Sequence, residues 1–414
     1  MQTLQQLNNG ELSGVKRLQL AENLSEFPEA IYSLADSLEI LDLSNNALTS
    51  LPDDLARLSN LKILFCSNNQ FTELPEVLGT CSKLEMIGFK SNQIRTVSGA
   101  SLPRITRWLI LTDNQIDTLP DEIGELPRLQ KLALAGNQLR EIPQSIKHCQ
   151  NLELIRLSAN MLTTFPDVLF ALPKLAWLAF SGNPFCASRD LHSEFKTVSA
   201  NDVILHQVLG QGASGVISKA TWQDNRFSFP DTIAVKVFKG EVTSDGYPED
   251  ELDACLSIGV HDNIVKPLAK ISEPECSALL MALIPEHYYN LGQPPSLVSC
   301  TRDTFTQGQA FSIQQIGFIV AQMDAVLQHF IDKDICHGDL YAHNILINPE
   351  GHILFGDFGA ASKYHNLSAE QKHGIQMIED RAMRFFIDDM LSLCIEEDKD
   401  SDLYKALQSK VALT

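Results

Sequence analysis

A nine-residue pattern returns eight times in the first half of the chain, and it leaves few folds open. Leu38-Glu-Ile-Leu-Asp-Leu-Ser-Asn-Asn46 and Leu61-Lys-Ile-Leu-Phe-Cys-Ser-Asn-Asn69 share the form L-x-x-L-x-L-x-x-N. The pattern starts at Val15, Leu38, Leu61, Leu84, Thr106, Leu129, Leu152 and Leu175, at intervals of 23 residues with a single interval of 22. Its ninth position is Asn23, Asn46, Asn69, Asn92, Asn114, Asn137, Asn160 and Asn183. A period of this length implies stacked coils, because one coil cannot bury its own apolar face. A short strand in each coil presents alternate leucines inward. The asparagine amide offers the donors and acceptor that the backbone needs where a coil turns. Strand positions three, five and seven then line the concave surface, which places Phe65, Trp108 and Trp177 there. Aromatic residues on such a face mark a site for a protein partner. Cys81 and Cys149 fall at one shared repeat position, as small buried hydrophobes would.

The totals narrow the rest. A chain of 414 residues exceeds one ordinary core, so two or three domains are expected. A formal net charge of −20 disfavours nucleic acid and anionic membrane as partners. The nine cysteines are scattered without a C-x-x-C pair or a zinc spacing, which fits free thiols in a reducing compartment. The first residues lack a basic stretch followed by an apolar run, so no signal peptide is expected. The apolar stretch 311–330 contains Gln314, Gln315, Gln322, Asp324 and His329, so it reads as an amphipathic helix and not a membrane span. A cytoplasmic location follows as the expectation.

The repeat ends after Asn183-Pro184, and a different grammar begins. Leu209-Gly-Gln-Gly-Ala-Ser-Gly-Val216 sits between strand-like pairs, as a hairpin covering phosphates would. It does not open a helix, which disfavours a dinucleotide fold. Thr232-Ile-Ala-Val-Lys-Val-Phe238 places Lys236 in the middle of an apolar strand, costly unless paired or functional. Cys336-His-Gly-Asp-Leu-Tyr-Ala-His-Asn344 and Ile353-Leu-Phe-Gly-Asp-Phe-Gly359 follow. Asp339 can orient a nucleophile and accept its proton. Asn344 and Asp357 supply the hard oxygen ligands that suit Mg²⁺.

The first part resembles the leucine-rich repeat family, over about residues 15 to 188. Residues 202–414 resemble the protein kinases, on the four motifs in chain order. The implied fold is an α/β solenoid followed by an α+β bilobal kinase-like domain. The expected boundaries are 1–188 for the repeats, 189–201 for a connector and 202–414 for the kinase-like domain, with an abbreviated C-terminal lobe. The resemblance implies that Gly210, Gly212, Gly215 and Val216 cover ATP and that Lys236 binds its α/β-phosphates. It also implies an ion pair from Lys236 to a glutamate, for which Glu251 is the choice and Glu249 the competitor. Asp339 becomes the catalytic base, with Asn344 and Asp357 holding Mg²⁺. The implied function is ATP- and Mg²⁺-dependent transfer to a Ser or Thr hydroxyl, with the repeats choosing a protein partner. A small-molecule kinase and an ATP-binding scaffold without turnover are the alternatives.

Four features depart from the kinase pattern. The usual His-Arg-Asp is His337-Gly338-Asp339, which argues against control by a phosphate on the activation loop. The usual lysine two residues beyond the aspartate is Tyr341, and the glutamate after Ala278-Leu-Leu-Met281 is Ala282. No Ala-Pro-Glu follows Asp357-Phe-Gly359, and Glu379 or Asp380 is expected to open the next helix.

Overall fold

The computed structural model describes residues 2–186, 195–212, 214–239 and 242–412. Residues 189–194 of the expected connector lie outside the described residues, as does Ala213 of the glycine loop.

A short helix α1 (Leu4–Asn8), closed by a Thr3–Gln6 capping box, precedes the coils. Seven strands follow at the repeat interval: β1 (Arg17–Gln19), β2 (Ile40–Asp42), β3 (Ile63–Phe65), β4 (Met86–Gly88), β5 (Trp108–Ile110), β6 (Lys131–Ala133) and β7 (Leu154–Arg156). They pair in parallel in chain order, Ile40 beside Ile63 and Ile63 beside Met86. The strand of the eighth repeat, β8 (Trp177–Ala179), is last in the sheet order. Turns of 3₁₀ helix return the chain between strands, and Pro28, Pro75, Pro120, Pro143 and Pro166 stand at their N-termini. Proline suits that place, since its fixed φ prepares the turn and its missing N–H is not needed there.

The asparagines tie coil to coil. Asn137 Nδ2 donates to Leu111 O at 2.9 Å and Leu134 O at 3.0 Å, while its Oδ1 accepts from Ile116 N at 3.0 Å. Asn69, Asn92, Asn114 and Asn160 repeat the arrangement one coil apart. Asn23 breaks the series. It is exposed, with a left-handed φ of 57°, and the element before its coil is α1 and not another coil. Cys81 and Cys149 are buried, and burial raises both thiols above their ordinary range.

By packing, the chain forms two units: Met1–Leu175 with Asn183–Phe185, and Ala176–Gly182 with Cys186–Thr414. The second unit therefore includes β8. Its first sheet has the order β10-β11-β12-β14-β13-β9, from β9 (Lys196–Thr197), β10 (Val203–Gln211), β11 (Gly215–Trp222), β12 (Thr232–Phe238), β13 (Pro267–Glu273) and β14 (Cys276–Ala282). Ala220, Ile233, Val235, Ala269, Ile271, Ala278 and Leu280 form a buried core on one face. Helix α2 (Pro248–Ile258) opens on Pro248 with Glu249, Asp250 and Glu251 in its first turn, and closes at Gly259 with φ 75°. Those carboxylates suit the positive end of the helix, and a left-handed glycine suits its end.

Beyond β14 come β15 (Tyr289–Asn290), α3 (Ile313–Asp332), β16 (Ile335–Cys336), β17 (Ile345–Ile347), β18 (Ile353–Phe355), β19 (Ser362–Lys363), α4 (Ala369–Ser392) and α5 (Asp402–Ala412). The amphipathic stretch is α3, capped by Ser312 and Gln315, with Ile316, Ile319, Val320, Met323 and Val326 buried. No helix among the described residues is long and apolar enough to cross a membrane. Glu379 does not open a helix, because α4 begins ten residues earlier at a Ser368–Gln371 capping box.

Replacing Asn137 by Ala orphans one buried amide and two buried carbonyls. An expected loss of about 3 kcal/mol follows, at roughly 1 kcal/mol per unmade bond, read from the midpoint of urea unfolding.

Candidate active site

The centre of the second unit is a buried ion pair. Strand alternation alone would aim Lys236 into apolar surroundings, between Ile217 on β11 and Leu279 on β14. Its ammonium instead meets Glu251 of α2. Glu249, two residues earlier, is exposed on a different side of the same helix. Burial works against the charge on Lys236, but Glu251 and Asp357 outweigh it and hold the ammonium above its ordinary pKa. Asp357 sits in a left-handed turn at φ 56°. A Cβ on Gly359 would lie 3.5 Å from Asp357 Oδ1 and 3.7 Å from Glu251 Oε2, so these carboxylates flank one glycine.

The loop from His337 to Asn344 has its own set of bonds. Asn344 Nδ2 donates to the Asp339 carbonyl at 2.9 Å and to Asp339 Oδ2 at 3.1 Å. His337 is fully buried, stacked on Phe355 with centroids 4.1 Å apart, and its Nε2 lies 3.1 Å from Gly356 O. Gly356 N donates to Asn344 O at 3.1 Å, tying this loop to the turn that carries Asp357. The structure thus brings Lys236, Glu251 and Asp357 together, and separately joins Asp339 to Asn344. Asp339 and Asp357 both add to the raised pKa of His343, behind the larger effect of Asp303.

The glycines divide by role. A Cβ on Gly210 or Gly212 would meet nothing within 4 Å, so both border open space. A Cβ on Gly215 would strike Val237 O at 2.4 Å, so this glycine answers the close pairing of β11 and β12. Val216 lies in the same ladder, opposite Val237 and Gln211. Gly212 N donates to Gly215 O at 3.0 Å and closes the hairpin.

Three supports escaped the sequence. Glu379 Oε1 accepts from His337 N at 2.6 Å and Gly338 N at 3.1 Å, from the middle of α4. Burial pushes its carboxyl up to about 7 despite those two donors. Asp303 binds His343 through Nδ1 at 2.7 Å and backbone N at 3.1 Å. Burial opposes protonation of His343, yet Asp303 raises its pKa overall. The neighbouring Arg302 anchors this segment to α4 through Asp388 and Asp389. Lys363 pairs with Asp253 of α2 at 2.6 Å, both side chains largely buried. None of these carries a motif. The run Arg302-Asp303 looks like any polar loop until the fold sets it against α4.

Trp177 is not on an open face. It is 1% exposed and stacks on Tyr341 at 4.6 Å and Phe385 at 5.2 Å. Phe65 and Trp108 remain partly exposed, with Phe65 lying over Gly88 and Lys131 Nζ 4.4 Å from the Trp108 ring centre.

Residues 203–377 match the protein kinase domain family, and residues 36–94 and 127–185 match the leucine-rich repeat family. The chain is a fusion of leucine-rich repeats with a protein kinase domain. Fibroblast growth factor receptor 1 of Xenopus laevis is 23% identical over 42% of this chain and 23% of its own length. The serine/threonine-protein kinase pakF of Dictyostelium discoideum is 25% identical over 46% of this chain and 15% of its own. The fusion thus spans under a quarter of either relative. A leucine-rich repeat protein of Leptospira interrogans aligns with 44% of the chain and 46% of its own, at 28% identity and a TM-score of 0.41. Within the kinase domain match, residues 360–368 alone separate Gly359 from α4.

Folding with Glu379 protonated means the native state binds more protons than the unfolded one between about 4.5 and about 7. This contribution is complete below that window and is lost as pH rises through it. Glu379→Gln should flatten the decline in stability across the window, measured by urea unfolding at stepped pH.

Proposed function

We propose that the second unit transfers the γ-phosphate of ATP to a Ser or Thr hydroxyl on a protein, with Mg²⁺. The observation that carries this reading is the assembled pair of charged groups, Lys236 with Glu251 and Asp357 on one side and Asp339 with Asn344 on the other. Phosphoryl transfer asks for positioning and charge more than for covalent chemistry. Lys236, kept protonated, holds α/β-phosphate oxygens. Gly210 and Gly212 border the space above it, where a polyphosphate has room. Asp339 accepts the proton of the incoming hydroxyl, and its bond to Asn344 fixes the carboxylate.

The donor set fits magnesium. With Asn344 Nδ2 turned to Asp339, its amide oxygen is left for a cation, and Asp357 supplies a carboxylate. Among the described residues no group of three His, Cys, Asp or Glu is placed to hold a metal. Two protein oxygens completed by phosphates and water is the mode magnesium favours. When bound, the ion neutralises charge developing on the phosphate oxygens.

The division into repeats 1–188, connector 189–201 and kinase domain 202–414 belongs to the same reading. The repeats are proposed to hold a protein partner through the concave surface near Phe65 and Trp108, in the cytoplasm. A hydroxylated small molecule is the second reading of the acceptor. The short 360–368 segment favours it, since so little chain offers a narrow platform for a peptide.

The test supplies labelled ATP and Mg²⁺ to the full chain, with casein and a mixture of small alcohols as separate acceptors. Label on casein supports the protein-kinase reading, and label on an alcohol supports the second. Asp339→Asn should lower transfer by roughly 10² to 10⁴-fold, the usual size of a lost general base. Lys236→Met and Asp357→Ala should also abolish detectable transfer. Undiminished transfer in Asp339→Asn rejects the mechanism. A melting shift with ATP but no transfer to any acceptor leaves a nucleotide-binding scaffold.

A further inference from the structure

The two departures in the catalytic loop, Gly338 and Tyr341, are the residues against which one other segment packs. That segment is Ala176–Gly182, which belongs to the second unit although the eighth repeat supplies it. Trp177 stacks nearly parallel on Tyr341, at 4.6 Å and 9°, and its Nε1 donates to Leu340 O at 3.0 Å. Phe180 N and Ser181 N donate to Ser362 Oγ at 2.9 and 3.1 Å. Gly338 has φ +70°, and a Cβ there would lie 2.5 Å from Leu178 O and 2.8 Å from Ala360 O. An arginine in this place has no room, on conformational and steric grounds alike. At its far end, a Cβ on Gly182 would lie 2.6 Å from Asp250 Oδ2 and 2.9 Å from the Tyr247 ring, at the start of α2.

One short strand therefore touches the catalytic loop, the residues after Asp357, α4 through Phe385, and the helix that carries Glu251. These are the parts whose relative placement decides whether Asp339 and Asn344 face Lys236. We infer that Ala176–Gly182 is a built-in strap that positions the catalytic loop, and that Trp177 is its principal positioning residue. The strap takes the place of a phosphate on the activation segment, for which this loop has no arginine. Trp177 acts on Asp339 through the neighbouring Leu340 carbonyl and the Tyr341 ring, without touching the reacting atoms. The inference rests on the kinase reading for its effect on turnover, but not for its effect on the order of the loop.

Two measurements on the full chain test it. The first is ATP–Mg²⁺ turnover with water as acceptor, for wild type, Trp177→Ala and Trp177→Phe. Misplacing a catalytic group by about an ångström costs up to roughly a hundredfold, so Trp177→Ala should lower kcat by about tenfold to a hundredfold. KM for ATP should stay within about twofold, because Lys236 and the glycine loop are untouched. Trp177→Phe keeps the stack while losing the Leu340 bond, and should recover most of kcat. The second is amide hydrogen exchange, which should quicken in Trp177→Ala across residues 337–344 while β10 to β14 keep their protection. Unchanged or increased kcat in Trp177→Ala overturns the inference, since the strap would then be idle or a cover. Exchange that rises throughout the second unit also overturns it, as a purely structural role. If wild type hydrolyses no ATP, kcat is read on the acceptor that takes label in the transfer test; if none takes label, the kinase reading fails by itself, and exchange alone decides: faster exchange confined to 337–344 supports the strap, and no change there rejects it.

Discussion

A lysine ammonium in the middle of a sheet is the constraint on which the second unit depends. Lys236 sits among Ile217, Leu279 and the apolar residues of β12, where an unpaired charge is unaffordable. Its partner Glu251 comes from α2, so the helix must lie against the sheet at one place and one rotation. Removing either member of such a pair costs about 3–5 kcal/mol, because the other charge is left buried. Once α2 is fixed, Asp253, two residues further along it, is in place to hold Lys363, and the residues after Asp357 are drawn to the same helix. A single electrostatic requirement thus organises strand, helix and loop around one cleft.

The loop from His337 to Asn344 is held by a different principle. Nearly every support reaches its backbone and not its reactive side chains. Glu379 takes two consecutive amides, and His337 bridges to Gly356 across a stack of aromatic rings. Asp303 takes the amide and ring of His343, and Trp177 takes the Leu340 carbonyl. Fixing the backbone limits where Asp339 and Asn344 can point. It also gives the two departures from the kinase pattern a physical content. Gly338 is small because carbonyls approach it from two sides, and Tyr341 is aromatic because a tryptophan lies on it.

The repeats follow a simpler logic, in which each coil is completed by the next. Their asparagines satisfy backbone groups on two coils at once, so neighbouring coils share one hydrogen-bond system. That coupling spreads stability along the stack. It also explains why Asn23, at the first coil, is exposed while its successors are half-buried or buried.

The coils, their 23-residue interval and their asparagines were legible in the sequence because they rest on contacts that recur at a fixed separation. Lys236, Asp339, Asn344 and Asp357 stood out for another reason: the phosphoryl transfer proposed for them demands particular side chains in a particular order. Glu251 was preferred to Glu249 from the sequence, and the rotation of α2 supplies the reason, burying the first and exposing the second. The packing need at Gly215, the supports from Asp303 and Glu379, and the burial of Trp177 were decided by the tertiary structure alone. Trp177 meets Leu340 across 163 residues of chain, and Glu379 meets Gly338 across 41. Contacts over such separations leave no period and need no motif, since any sequence that folds the backbone to the same place will make them. What the chain wrote locally was its repeat and its chemistry, and what the fold supplied was the set of distant groups that hold that chemistry still.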